Sequence, residues 1–423
     1  MRTQQNDNVA ARPPARSLMR RVTALLLGGI VAVGAAVSPI HIGRAVVLTP
    51  LAVRVLTPPN PVLGADNRWH LAYELRMANL SPLFVTITDV QTLDPDRNGR
   101  VLGTLSGPHL AAMMRLTNDP YPCDCPEYMK ESPGRTIRPA HDAILFLDVT
   151  LNRGARIPTR LAHRIAIGTR APKSTAAPQP LTFMGVPTRV GPRAIVIAPP
   201  LRGSNWWAEA GCCDPYSYHR GSTLPIDGTI HVPERFAIDF EQLNPEGRVF
   251  SGDISRLSSY AYFGVTIHAV APGVVVRAVN NQPEQVPGKL PSDQPTSTIT
   301  FENAGGNEIV EKLGPHRFAF YAHMQPGSVR VKAGDRVRAG QVLGLLGNSG
   351  NSSAPHLHFH LMDRPSPLAS NGLPYEFTSF RGQGQVTNQV AVDEGKRANI
   401  LPRALVGPHR NQMPLNSQIV RFP

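Results

Sequence analysis

The run from Pro355 to Leu361 alternates imidazole and apolar side chains. His356, His358 and His360 interleave with Leu357, Phe359 and Leu361. Successive side chains of a strand point to opposite faces, so this spacing predicts one apolar face for a core and one face of imidazoles. Two residues of strand rise put neighbouring imidazoles roughly 7 Å apart. That suits one metal ion together with a catalytic or supporting histidine. The Gly/Asn/Ser-rich stretch 348–353 reads as the turn that feeds the strand. One histidine on a polar strand face would need no explanation, but three at period two ask for one.

Composition points the same way. The 423 residues carry 42 Pro, 36 Gly and only 6% aromatics, which favours many short strands and turns over long helices. A hydrophobic fraction of 41% is enough for cores, and the length suggests two or three domains. The fold class read from the chain is therefore mainly β. The formal charge is +13. No basic helix or aromatic-basic stripe accompanies it, so nucleic acid is not the expected partner. A basic exported protein suits an anionic envelope, where charge raises local concentration.

Export is read from the start of the chain. Arg12, Arg16, Arg20 and Arg21 precede an uncharged stretch, 22–40, with Gly34, Ala35 and Ala36 near a cleavage position. This is the form of a secretory signal. At ~19 residues the stretch is also long enough for a retained membrane anchor. Both readings of residues 1–44 place the rest of the chain in the cell envelope, periplasm or extracellular space. Four cysteines, Cys123, Cys125, Cys212 and Cys213, fit an oxidising compartment. Close neighbours bridge poorly, so two bridges between the pairs are the expectation, with a thiolate zinc site as the competing one.

Residues 45–170 read as a β-sandwich-like accessory domain. Residues 70–77 and 84–90 alternate, residues 143–149 form an apolar run, and Pro-rich turns punctuate them. No catalytic set appears there. Residues 171–200 read as a linker or connecting strands, 201–384 as a second β domain, and 385–423 as a tail that packs back on it.

The second domain carries a resemblance. Residues 353–359 resemble the His-x-His signature of lysostaphin/LytM-like zinc metallopeptidases, which typically cut peptide cross-links in bacterial cell walls. Residues 320–324, Phe-Tyr-Ala-His-Met, are similar to that family's Tyr-x-His-Leu strand. Residues 331–344 are similar to its glycine-marked hairpin, residues 269–275 to an earlier strand pair, and residues 235–240 to the segment with its metal-binding Asp. The resemblance covers roughly residues 236–363. It implies an antiparallel β-sheet domain, Zn2+ held by Asp239 and His358, and catalytic roles for His356 and His323. The imidazoles would handle the protons, since no His-Glu-x-x-His helix supplies a glutamate base.

One position departs from the pattern. The family's remaining ligand is a His four residues before the Asp, and here Arg235 stands there. A guanidinium keeps its proton and cannot ligate zinc. Three outcomes follow. His219 supplies the nitrogen, or His231 does, or there is no zinc and Arg235 pairs with Asp239. His360, on the same strand face, is a further candidate ligand. The function implied is an exported zinc endopeptidase acting on peptidoglycan cross-links or stem peptides. The alternative is a catalytically silent relative that binds wall peptide or regulates another hydrolase.

Overall fold

Two long strands, Arg68–Asn79 and Asp142–Asn152, pair antiparallel and form the middle of the first sheet. Leu71, Tyr73, Leu75 and Met77 alternate along one of them, and all four are fully buried. They share a core with Val85, Ile87 and Val90 of the strand Phe84–Asp94, which belongs to a second sheet. Two sheets closing on one apolar layer make a sandwich. The computed structural model describes residues 48–117, 134–213 and 217–423, and these lie in one unit. The predicted leader, with residues 22–40, falls outside the described residues, as do Cys123 and Cys125. Among the described residues, no helix is long and apolar enough to cross a membrane.

The second region is built on one long sheet. Its neighbours run Arg336–Val337, Gly273–Ala278, Asn307–Gly314, Arg317–Met324, Leu357–Met362, Ile238–Gln242, Gly203–Glu209, Gln418–Phe422, Phe380–Val386 and Ile400–Leu401. Phe236, Ile238 and Phe240 enter the same core as Leu357, Phe359 and Leu361. The apolar halves of both alternating runs thus face one way, which leaves Asp239, His358 and His360 for the other. Trp206 and Trp207 are packing residues, 1% and 0% exposed.

The segments between and after these regions are structural members. Within 171–200, the strand Gln179–Met184 extends the second sandwich sheet, and Ile195–Ile197 pairs in parallel with Tyr375–Phe377. The final strand, Gln418–Phe422, lies inside the large sheet between Gly203–Glu209 and Phe380–Val386. Cys212 and Cys213 are joined to each other, in place of the bridges expected between the pairs.

The sandwich and the large sheet meet through buried charge. The back of the strand Arg68–Asn79 is also covered: Ala72 and Glu74 are 0% exposed, and Ala72 joins the core of the large sheet. Glu74 pairs with Arg220 and Arg235 and accepts from Thr57 at 2.6 Å. Burial and the neighbouring Arg235 charge push the Arg220 guanidinium down to about 9, which leaves it charged at neutral pH. Net stabilisation by such a group is small, but removing one partner strands a buried charge and costs about 3–5 kcal/mol.

Arg235 therefore does not pair with Asp239. The strand begins only at Ile238, and Arg235 sits in the turn before it, so the strand alternation that would put residues 235, 237 and 239 on one face does not extend that far. Its guanidinium bonds Gly372 O at 2.9 Å and Pro58 O at 3.1 Å, besides Thr57 and Glu74.

The position of the last strand gives a test. Truncation after Ser417 removes Gln418–Phe422 and exposes two long edges in the middle of a sheet, and open edges recruit other chains. Soluble yield and urea unfolding should show aggregation or loss of the cooperative transition. A truncated chain that unfolds like the full one would show that the strand is dispensable.

Candidate metal centre

Backbone register assembles the site. Asp239 lies directly across from His358 on one side and from Glu209 on the other. Asp239 is 6% exposed. His358 Nδ1 lies 2.9 Å from its Oδ1, and His219 Nε2 lies 3.3 Å from its Oδ2. His219 comes from a single helical turn, Tyr218–Gly221, whose Tyr218 hydroxyl donates to the same Oδ2 at 2.6 Å. His356 Nε2 approaches Oδ1 at 3.5 Å. One donor atom from each of His219, Asp239 and His358 falls within 4.8 Å of the other two. The same holds for His323, His356 and His358.

Hydrogen bonds around the rings fix their tautomers. A ring nitrogen facing a carbonyl oxygen must be the N–H. His356 Nδ1 donates to Ala354 O at 2.8 Å, and His323 Nδ1 donates to Ser349 O at 2.7 Å. Both rings then present the Nε2 lone pair to the site. Burial pushes the His356 imidazole down, and burial together with the two neighbouring imidazoles holds His323 well below the usual range, so both are neutral bases. His323 has φ +63°. A non-glycine residue there costs about 1–3 kcal/mol and must be held by its surroundings.

The donor set fits a cation. His219 Nδ1 faces two carbonyls, Ala210 O at 3.2 Å and Ala237 O at 3.3 Å. In the neutral ring, Nε2 must therefore aim a lone pair at a carboxylate oxygen. That contact is repulsive unless positive charge sits between or beside the two. The titration behaviour states the same demand. Burial alone would lower His219, but Asp239 overrides it and lifts the ring to about 9. Burial alone would raise Asp239, but the surrounding imidazoles hold it well below the usual carboxylate range. One carboxylate oxygen and two imidazole nitrogens form a set that zinc takes when it keeps a fourth position open.

The remaining candidates fall elsewhere. His231 lies on the strand Thr229–His231, paired with Leu224–Ile226, and its donor atoms do not join those around Asp239. His360 is not placed as a ligand, because its Nδ1 faces His358 Nε2 at 2.9 Å. It supports the back of the His358 ring instead. Tyr321 is a core residue whose hydroxyl donates to Glu311. His268 Nδ1 faces Pro200 O, and His316 is exposed in a hairpin turn.

The structure also adds residues. Tyr218 carried no motif, and its neighbour His219 was the nearest signal. Glu209, Glu241 and Asp393 bring carboxylate oxygens within 4.8 Å of one another beside the centre. Burial first, then the charge of Asp393, pushes Glu209 and Glu241 well up. All of these line one groove of about 710 Å³. Its walls include Phe250 and Tyr260 from the long connection after the Asp239 strand, and Leu290 from the Pro- and Gln-rich loop. That loop is tied to the histidine turn by Gln285 N to Asn348 O at 2.8 Å and Gly288 N to Ser353 O at 2.7 Å.

Comparison with known proteins finds similarity over part of the chain. Residues 259–370 match the model of Peptidase family M23. The match holds His323, His356 and His358 and stops short of His219 and Asp239. The glycyl-glycine endopeptidase ALE-1 of Staphylococcus capitis is 39% identical over 97 residues, 22% of this chain and 26% of that protein. Lysostaphin of Staphylococcus simulans is 39% identical over 88 residues, 20% of this chain and 17% of that protein. The peptidoglycan DD-endopeptidase ShyA of Vibrio cholerae is 38% identical over 63 residues, 15% and 14% of the two chains. The chain thus spans about a quarter or less of the length of these relatives. The solved catalytic domain of S. simulans lysostaphin overlaps 35% of this chain and 80% of its own, at 25% identity and a TM-score of 0.21.

Tyr218 offers a test of the centre. Partners that orient a ligand typically change metal affinity about 10–100-fold. Tyr218→Phe should keep the fold and weaken zinc binding by roughly that factor in a competitive chelator titration. Unchanged affinity would remove Tyr218 from the support of Asp239.

Proposed function

Because the chain carries a peptidase domain of family M23, we propose that it is an exported zinc endopeptidase hydrolysing peptide bonds of bacterial peptidoglycan. The observation that carries this reading is the meeting of His219, Asp239 and His358 at one point, with His356 and His323 on the rim of the same groove. His219 Nε2, the Asp239 carboxylate and His358 Nδ1 would hold the ion. Zinc bound there polarises a carbonyl and lowers the pKa of water toward about 7.

The protein's own groups do the rest. The His356 Nε2 lone pair is positioned to take a proton from the attacking water. Asp239, 3.5 Å away, then steadies the imidazolium that forms. That imidazolium is the acid for the departing amine. His323, its ring centroid 4.5 Å from that of His356, offers a second Nε2 lone pair that orients the water. Both Nδ1 atoms stay bonded to backbone carbonyls, so neither ring needs to rotate. Relatives named for endopeptidase activity support peptidoglycan peptides as the substrate. The +13 charge supports accumulation at an anionic wall. Position 235 had favoured a silent wall-binding module. Arg235 turned to Glu74 and His219 at Asp239 support the enzyme reading instead.

Metal analysis and sacculus digestion test the proposal together. Purified protein should hold about one zinc and lose it to a chelator. His358→Ala should abolish zinc content. His356→Ala should keep zinc while hydrolysis of purified sacculi falls roughly 10²–10⁴-fold, the usual scale for losing a general base. Zinc retained by the first variant would overturn the ligand set, and full activity in the second would overturn the role of His356.

A further inference from the structure

We propose that the sandwich is a working part of the metal centre: Glu74, acting through Arg220, positions the helical turn that presents His219. The inference rests on the reading of His219 as a ligand and extends it to what holds that ligand in place.

A helical turn of four residues cannot hold itself, because forming a first turn is unfavourable on its own. Tyr218–Gly221 must be fixed from outside, and it is gripped at both ends. Its first two residues face the centre. Tyr218 donates to Asp239, and His219 Nδ1 donates to Ala210 and Ala237 carbonyls. Its last two face the sandwich. The Arg220 guanidinium bonds Glu74, Tyr73 O at 3.0 Å and Leu147 O at 3.1 Å. Arg115 bonds the Gly221 carbonyl. All four partners belong to the first sandwich sheet. Arg220 and Arg115 also both lie over the Phe146 ring, at 5.4 Å and 5.7 Å. A Cβ on Gly221 would fall 2.5 Å from an Arg115 nitrogen, so a side chain there would push the Arg115 guanidinium aside.

Glu74 also reaches the second ligand-bearing segment. Its other oxygen accepts from Thr57 and faces Arg235 at 3.5 Å. Arg235 forms part of the turn from which the Asp239 strand starts. One buried carboxylate of the sandwich thus anchors the approaches to both His219 and Asp239. A lysine at 220 keeps the charge but cannot address Glu74 and two carbonyls with a planar fork.

The test uses the full chain, with zinc affinity, the visible spectrum of the Co(II)-substituted protein and circular dichroism as readouts. Glu74→Gln and Arg220→Lys should each lower zinc affinity about 10–100-fold and alter the Co(II) bands while the β-sheet signal persists. His219→Ala is run beside them. If it binds zinc like the parent, the ligand reading falls and this proposal with it. If it loses zinc while folded Glu74→Gln and Arg220→Lys bind like the parent, the positioning proposal alone is overturned. Hydrogen exchange on the unmodified protein covers the case in which the variants do not fold. Coupling is reciprocal. Removing zinc with a chelator should therefore speed amide exchange in the strand Arg68–Asn79, whereas unchanged protection there would overturn the proposal.

Discussion

Asp239 is a carboxylate with almost no access to water, and the centre is arranged to give it positive charge. Burying an ionised carboxylate is costly unless it is paired and hydrogen-bonded. Here Tyr218 and His219 meet one oxygen, while His358 and His356 meet the other. The His219 ring cannot turn to serve this need differently, because its Nδ1 is committed to two carbonyls. The set of donors around the carboxylate is therefore built into the backbone. It follows from strand register and the seating of one helical turn rather than from adjustable side chains.

Local periodicity made some of this legible in the sequence. The alternation at 356–361 sorted three histidines from three apolar residues, and period two needs no knowledge of the rest of the fold. The run 236–240 works the same way, and its aromatic residues share a core with Leu357 and Phe359. The same periodicity does not reach Arg235. Extended across the strand start it would put Arg235 beside Asp239, and nothing in the residues marks that the strand begins at Ile238. Tyr218 and Glu209 were not legible for a different reason. One depends on where a single helical turn docks. The other depends on which strand pairs with Asp239, and pairing of segments about thirty residues apart carries no local sign.

Composition left the role of 171–200 open between linker and connecting strands, and strands there pair with both regions. The last residues carry no motif, yet Gln418–Phe422 fills the middle of a sheet, with Ile419 and Val420 2% and 0% exposed. Composition reports how freely a segment can turn. It does not report whether an edge elsewhere in the chain is waiting for a partner.

Two buried carboxylates, Asp239 and Glu74, face one problem and meet it in different ways. Glu74 is answered by two guanidinium groups, which stay charged and are matched by backbone carbonyls on every side. That arrangement is closed, and a further cation has no place in it. Asp239 is answered by imidazoles, which can be neutral and leave room for an ion. Had Arg235 reached Asp239 instead, the centre would have been sealed as Glu74 is. The turn that carries Arg235 away from the groove is thus what keeps the imidazole site open. The same guanidinium, buried against the sandwich, makes the site depend on a domain that contributes no ligand of its own.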